Sequence, residues 1–230
     1  AINKGLRHAT GDVVTWFGAD DVYAPGIFAA IETAWRSNPR AIYAASVANF
    51  YSRGRQILYR PHGLSLANVV QYWQLRSVWH DPGLFWSRDV ITRTGELDAS
   101  LRYAFDYDYL ARALQHGSVE YVDCVAAGFR LHRDSKTVAQ SERMMAETAT
   151  VSQRYWPLLA DVDREGFERS EHAVRVRRGA SQVIRGRGEG LALLRRALRD
   201  RPVTTLAQLA LLVPTVLVER LRRLLPTRYF

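Results

Sequence analysis

The stretch TWFGADDVYAPG, residues 15–26, carries a β-branched and aromatic run into two adjacent carboxylates, Asp20 and Asp21. Adjacent acids repel each other. A hard divalent cation such as Mg²⁺ or Mn²⁺ relieves that repulsion and keeps coordination positions open for phosphate oxygens. Acids at the carboxyl end of a buried strand also lie where open α/β sheets bind their ligands. The pair is read as a metal site serving a phosphorylated substrate. A second reading makes either acid a turn residue, or a cap for the helix that begins near Pro25.

A second acidic cluster supports the first reading. RYAFDYDYLARAL, residues 102–114, puts Asp106 and Asp108 at the start of a helix among Tyr103, Phe105, Tyr107 and Tyr109. A carboxylate in a partly apolar site gains basicity, as a general base requires. Helix capping and the helix dipole would favour acids there without any chemistry. HDPGLFWSRD supplies a third acid, Asp81, ahead of a tight turn, and FRLHRDSKT gathers Arg130, His132 and Lys136 in one loop suited to phosphate. Cys124 lies mid-strand and reads as a small core residue. His80 and His116 read as ordinary polar groups, and no nucleophile constellation is visible.

The surrounding pattern predicts elements that would position these groups. Residues 13–19 read as a buried strand, 25–39 as a helix stopped by Asn38-Pro39, and 41–52 as a strand with a hairpin partner at ILYR. Residues 65–75 read as a helix. Residues 82–95 run from an apolar strand into a short helix ending at Gly95, 106–117 read as a helix closed by Gly117, and 119–132 as a strand. Strands alternating with helices predict an α/β sheet.

Three motifs in order then carry a resemblance: AINKGLRHATGDVVTWFGADDVYAPG, GLFWSRDVITRTGELDASLRYAFDYDYLARAL and FRLHRDSKT. Over roughly residues 1–140 the chain resembles the family 2 glycosyltransferases. The resemblance implies an α/β, partial GT-A (Rossmann-like nucleotide-diphospho-sugar transferase) sheet with helices on both faces. It implies that Asp20 and Asp21 hold Mn²⁺ or Mg²⁺, that Asp106 is the catalytic base, and that Asp81 and Asp108 lie on the acceptor side. His132, Ser135 and Lys136 match a late loop near the donor diphosphate, and Asn3 and Lys4 would be the last of the nucleotide side. Gly18 stands where the family usually has Asp or Asn, and Phe105 where Glu is frequent. The family's first strands, which bind the nucleotide, have no counterpart after Ala1, so an N-terminal segment is expected to be missing.

The implied activity is inverting, metal-dependent transfer of a sugar from a nucleotide-diphosphate donor to an acceptor hydroxyl, in polysaccharide or glycoconjugate synthesis. The alternative is a catalytically inactive remnant that serves only as a binding or interaction domain.

Charge separates the two ends of the chain. The net charge is +9 over 230 residues, with 17 basic and 15 acidic side chains in residues 1–159 against 15 and 8 in residues 160–230. The expected organisation is a glycosyltransferase domain over 1–140, a helical or linker region over 141–187 and a basic amphipathic helical tail over 188–230. Residues 203–218 carry no charge, yet this run is too short to span a bilayer and contains Pro214. With flanking arginines it suits lying in the interface of an anionic membrane. A helical hairpin packed on protein is the competing reading. Arginines interleaved with Leu, Val and Ala, and not with exposed aromatics, argue against a nucleic-acid partner. The partners expected are a nucleotide-sugar donor and a sugar or lipid-linked acceptor. The expected location is cytoplasmic, peripheral on the inner face of the membrane.

Overall fold

A computed structural model describes residues 1–51, 56–131, 140–184 and 186–212. The chain divides into two compact units, Ala1–Val162 and Asp163–Phe230.

The first unit runs α1 (Ile2–His8), β1 (Val13–Val14), β2 (Val22–Tyr23), α2 (Ile27–Ser37), β3 (Ile42–Tyr51), β4 (Gln56–Tyr59), α3 (Leu66–Val70), β5 (Leu84–Ser87), α4 (Arg88–Thr94), α5 (Phe105–Ala113), β6 (Val119–Leu131) and α6 (Ser141–Tyr155). The strands form one mixed sheet in the order β1-β5-β3-β6-β2. β3 is its centre. It runs parallel to β6 from Ile42↔Val119 to Tyr51↔Leu131, and its other edge takes β5 and then β4, both antiparallel. The β3–β6 register breaks between Ala45 and Val47, so β6 bulges around Asp123 and Cys124.

Alternation along β3 sorts the core into two layers. Ile42 and Ala44 face a cluster that includes Leu84, Trp86, Val90, Leu110, Val151 and Tyr155. Tyr43 and Ala45 face Ile27 and Ile31 of α2, with Phe85 and Ala127. Helices therefore cover both faces of the sheet, as the sequence predicts. Cys124 packs against the second layer.

Three boundaries differ from expectation. The strand expected over 13–19 pairs only at Val13–Val14, because Thr15 turns its Oγ1 to Leu84 O at 2.9 Å and Trp16 turns its indole away to Asp81. The helix expected over 65–75 stops at Val70 and continues as a 3-10 turn, Tyr72–Gln74, which Leu75 ends in a left-handed conformation. The boundary expected at residue 140 falls inside the first unit. Val151 and Tyr155 of α6 are buried in the sheet's own core, so this helix belongs with the sheet and not with a linker.

The second unit contains α7 (Arg164–Ile184), α8 (Glu189–Asp200) and helical residues 202–212. α7 and α8 cross at glycines: a side-chain carbon on Gly190 would lie 2.6 Å from Gly179 O. His172 Nε2 and Thr205 Oγ1 share a buried hydrogen bond of 2.9 Å. Among the described residues no helix is long and apolar enough to cross a membrane. Pro214 and residues 213–230 lie outside the described residues.

Candidate active site

Asp106 lies in the first turn of α5. Ala104, at the cap position, offers no side chain to the helix start, and Asp106 Oδ1 accepts the Tyr107 N–H at 2.8 Å instead. Asp81 opens the 3-10 turn Asp81–Gly83 that leads into β5. That turn presses hard on β3: a side-chain carbon on Gly83 would come within 2.5 Å of Ala45 O. Glycine there is what lets the turn reach the sheet.

Trp16 joins these acids to the aromatic core. Its indole N–H donates to both oxygens of Asp81 at 2.8 Å. Its ring stacks on Trp86 at 5.2 Å and meets Tyr109 of α5 edge-on at 5.1 Å. Burial in this setting pushes the Asp106 carboxyl up to about 6. The N–H of Tyr107 pulls it back in part, and the negative charge of Glu147 adds to the rise. Asp81 is pushed well above the usual carboxylate range, first by burial and then by repulsion from Asp106, against the pull of the Trp16 hydrogen bond. Asp21 adds further repulsion.

Asp20 and Asp21 occupy the turn between β1 and β2. Asp21 N–H closes that turn on Gly18 O at 3.2 Å, and Asp21 Oδ1 accepts from Arg130 N–H of β6 at 3.1 Å. A side-chain carbon on Gly18 would lie 2.6 Å from Asp21 Oδ2 and 3.2 Å from Asp20 Oδ1. The two carboxylates thus bracket one point, and the bare glycine makes room for them. Burial raises the Asp21 carboxyl, with repulsion from Asp20 adding to it. Among the described residues no three His, Cys, Asp or Glu side chains are grouped as a metal cage. The acids therefore form two pairs: Asp20 with Asp21 on an open turn, and Asp81 with Asp106 in an aromatic pocket.

Other expected site residues are used elsewhere. Asp108 is buried: its Oδ2 meets Arg112 Nε at 2.9 Å and its Oδ1 accepts the Tyr155 hydroxyl at 2.6 Å. One helical step from Asp106, it points into the α5–α6 packing. Asn3 clamps the backbone of Leu97, donating to its carbonyl at 2.8 Å and accepting its N–H at 2.9 Å, so its amide ties α1 to the segment after α4. Lys4 is exposed on α1. His132, Ser135 and Lys136 lie outside the described residues. Two contributors carry no signal in the sequence. Trp16 reads as one more core aromatic, and Glu147 as one more polar residue on a helix. Only the folded chain brings them to Asp81 and to the start of α5.

Compared with known families, residues 1–91 match the one described as Glycosyl transferase family 2. That family transfers glycosyl groups from nucleotide sugars, generally with inversion. The matched segment contains Asp20, Asp21 and Asp81 and ends before Asp106. No curated protein matches the chain.

Proposed function

We propose, on the match of residues 1–91 to glycosyl transferase family 2, that the chain performs inverting transfer of a sugar from a nucleotide-diphosphate donor to an acceptor hydroxyl, with Asp106 as the base. The observation that carries this reading is the Asp81–Asp106 pair: two carboxyls raised together in an aromatic pocket, one of them to about 6. A base of that strength is ionised at neutral pH and still takes a proton readily. It accepts the hydroxyl proton as the acceptor oxygen attacks the anomeric carbon from the face opposite the leaving group. Asp81, held by Trp16, faces the same acceptor.

Asp20 and Asp21 fit a hard divalent ion, Mn²⁺ or Mg²⁺, because their oxygens bracket one point and repel each other without it. Such an ion supplies charge neutralisation to a departing diphosphate. The chain's own part is to hold that carboxylate pair in place: the Arg130 N–H fixes Asp21, and Gly18 leaves the space clear.

The acceptor class we favour is a saccharide growing at a membrane surface, as in polysaccharide or glycoconjugate synthesis. In the second unit Val203, Leu206, Ala207, Ala210 and Leu211 are all exposed at helical spacing, and α8 exposes Arg195, Arg196 and Arg199. An apolar stripe beside cations suits the interface of an anionic bilayer.

The test is release of nucleoside diphosphate from a panel of nucleotide sugars, with Mn²⁺ and saccharide acceptors, by wild type, Asp106→Asn and Asp20→Asn. Turnover by wild type that both substitutions abolish is the expected result. Undiminished turnover in Asp106→Asn removes it as the base, and undiminished turnover in Asp20→Asn removes the metal site.

A further inference from the structure

Glu147 belongs to α6, 41 positions beyond Asp106 in the chain. Its Oε2 accepts the N–H groups of Tyr103 at 2.5 Å and Ala104 at 2.7 Å, and its Oε1 accepts that of Arg102 at 3.2 Å. Three consecutive backbone donors thus converge on one carboxylate immediately ahead of α5. No side chain at the cap position does this work, since the Ala104 methyl group cannot accept a hydrogen bond. Charge-assisted bonds to backbone N–H are short and strong, and three on one group fix the backbone they join. Asp106 is two residues past the last of them.

We propose that Glu147 is a positioning residue for Asp106: it anchors the backbone that presents that carboxyl and holds a fixed negative charge beside it. The proposal rests on the reading of Asp106 as the base, and it names what tunes that base. The acids that face Asp106 come from two elements, Asp81 from the turn ahead of β5 and Glu147 from α6. Asp81 is itself pushed toward its protonated form. Glu147 is the opposite case. Burial pushes its carboxyl up, but the three N–H groups and the charge of Arg154 outweigh this and hold it below the usual glutamate range. Arg154 lies on the same helix, and its side chain pairs with Asp98 at 3.2 Å. Glu147 is therefore the partner that stays charged throughout the range in which Asp106 titrates. Helix α6 lies beyond the segment matching family 2, so this control over Asp106 comes from a part of the chain outside the match.

The experiment follows the Asp106 carboxyl directly by carbon-detected NMR titration of the whole chain, assigned with Asp106→Asn, in wild type and in Glu147→Gln. Glutamine keeps one acceptor oxygen and removes the charge. The Asp106 midpoint is expected to fall by roughly half a pH unit or more in Glu147→Gln, with folding intact by circular dichroism. An unchanged midpoint in a folded variant overturns the proposal. If Glu147→Gln does not fold, wild type decides. The backbone amide signals of Arg102, Tyr103 and Ala104 should move together at a pH below the usual glutamate range, as Glu147 gains its proton. Amides that stay still there overturn the proposal equally. Neither readout needs a donor or an acceptor. A chain that transfers no sugar yet shows the midpoint fall keeps the Glu147 role and loses only the reaction.

Discussion

The indole N–H of Trp16 lies 2.8 Å from both oxygens of Asp81. One donor shared between two oxygens holds the carboxylate plane toward the ring, and the ring itself packs against both Trp86 and Tyr109, which touch each other as well. The short β1 strand exists in part because of this: Trp16 leaves the ladder after Val14 to reach an acid 65 residues away. Position 16 therefore connects the turn that carries Asp20 and Asp21 to the pocket that carries Asp81 and Asp106.

Trp16→Phe keeps a stacking ring, smaller than the indole, and removes the donor, so the part of its effect that depends on pH is what reports on the N–H. Leaving a half-buried carboxylate without its donor costs up to about 1–3 kcal/mol. All six tryptophans lie in the first unit, so their fluorescence follows that unit alone in urea. A loss of that size is expected at pH 8 and a smaller one at pH 5, where more of Asp81 is protonated. Equal losses at both pH values would mean that the ring, and not the N–H, is what matters.

Asp106 makes stability depend on pH in a definite direction. Its folded value of about 6 exceeds the ordinary 3.8, so the folded chain binds this proton more tightly than the unfolded chain does. The stability so gained is fully present below the unfolded value and is lost as pH rises through the folded one. Asp106→Asn removes the effect. Relative to wild type, the variant should therefore become more stable by up to about 3 kcal/mol between pH 4 and pH 7.5. Urea unfolding of both proteins across that range checks it. A constant difference between them would show that Asp106 titrates normally.

The sequence discloses the fold more fully than the site, for physical reasons. Period-2 and period-3.6 patterns record which face of an element is buried, and these predict β3, β5, β6, α2, α4 and α5 close to their observed limits. A site is made by residues that meet from distant positions. Adjacent acids such as Asp20 and Asp21 announce themselves, and the aromatic crowding around Asp106 signals its shelter. Asp108 shares that crowding, and only its bonds to Arg112 and Tyr155 show that it faces the other way. Asn3, expected beside a nucleotide, is committed to Leu97, 94 residues on. Trp16 and Glu147 have ordinary local sequence, so nothing near them reveals a partner 65 or 41 residues away.

Asp108 should matter to folding and not to turnover. Asp108→Ala removes the carboxylate from a half-buried guanidinium, which keeps its bonds to Thr94 O and Glu96 O, and strips the partner from the buried Tyr155 hydroxyl. Losing the partner of a buried hydrogen bond costs about 1–3 kcal/mol. The melting temperature should fall accordingly, while turnover per folded molecule, measured well below the new midpoint, stays near wild type. A folded variant that has lost turnover would return Asp108 to the acceptor side.

Gly18 offers a lighter touch on the turn that carries Asp20 and Asp21. A methyl group there would sit against the carboxylates of Asp21 and Asp20, the mobile ends of two side chains. Shifting them loosens the bond from the Arg130 N–H to Asp21, so Gly18→Ala should cost about 1 kcal/mol of stability. What it should disturb is their convergence. Calorimetric Mn²⁺ affinity in the presence of a nucleoside diphosphate is expected to weaken by about 10-fold or more. Unchanged affinity would mean that Asp21 does not ligate the ion.

Membrane docking of the second unit makes the last prediction. Val203, Leu206 and Leu211 are 79%, 60% and 77% exposed on a single helix face, a large apolar commitment for a stripe left in water. The exposed Arg195, Arg196 and Arg199 on α8 each add about 1 kcal/mol near an anionic surface. The chain should float with phosphatidylglycerol vesicles at low salt, and less of it should float at high salt as the arginine contribution is screened. Leu206→Glu with Leu211→Glu changes only exposed positions. The double variant should keep its helical circular dichroism and stay at the bottom of the gradient. If wild type also stays at the bottom at low salt, the stripe is a packing surface for protein, and the acceptor need not be sought at a membrane.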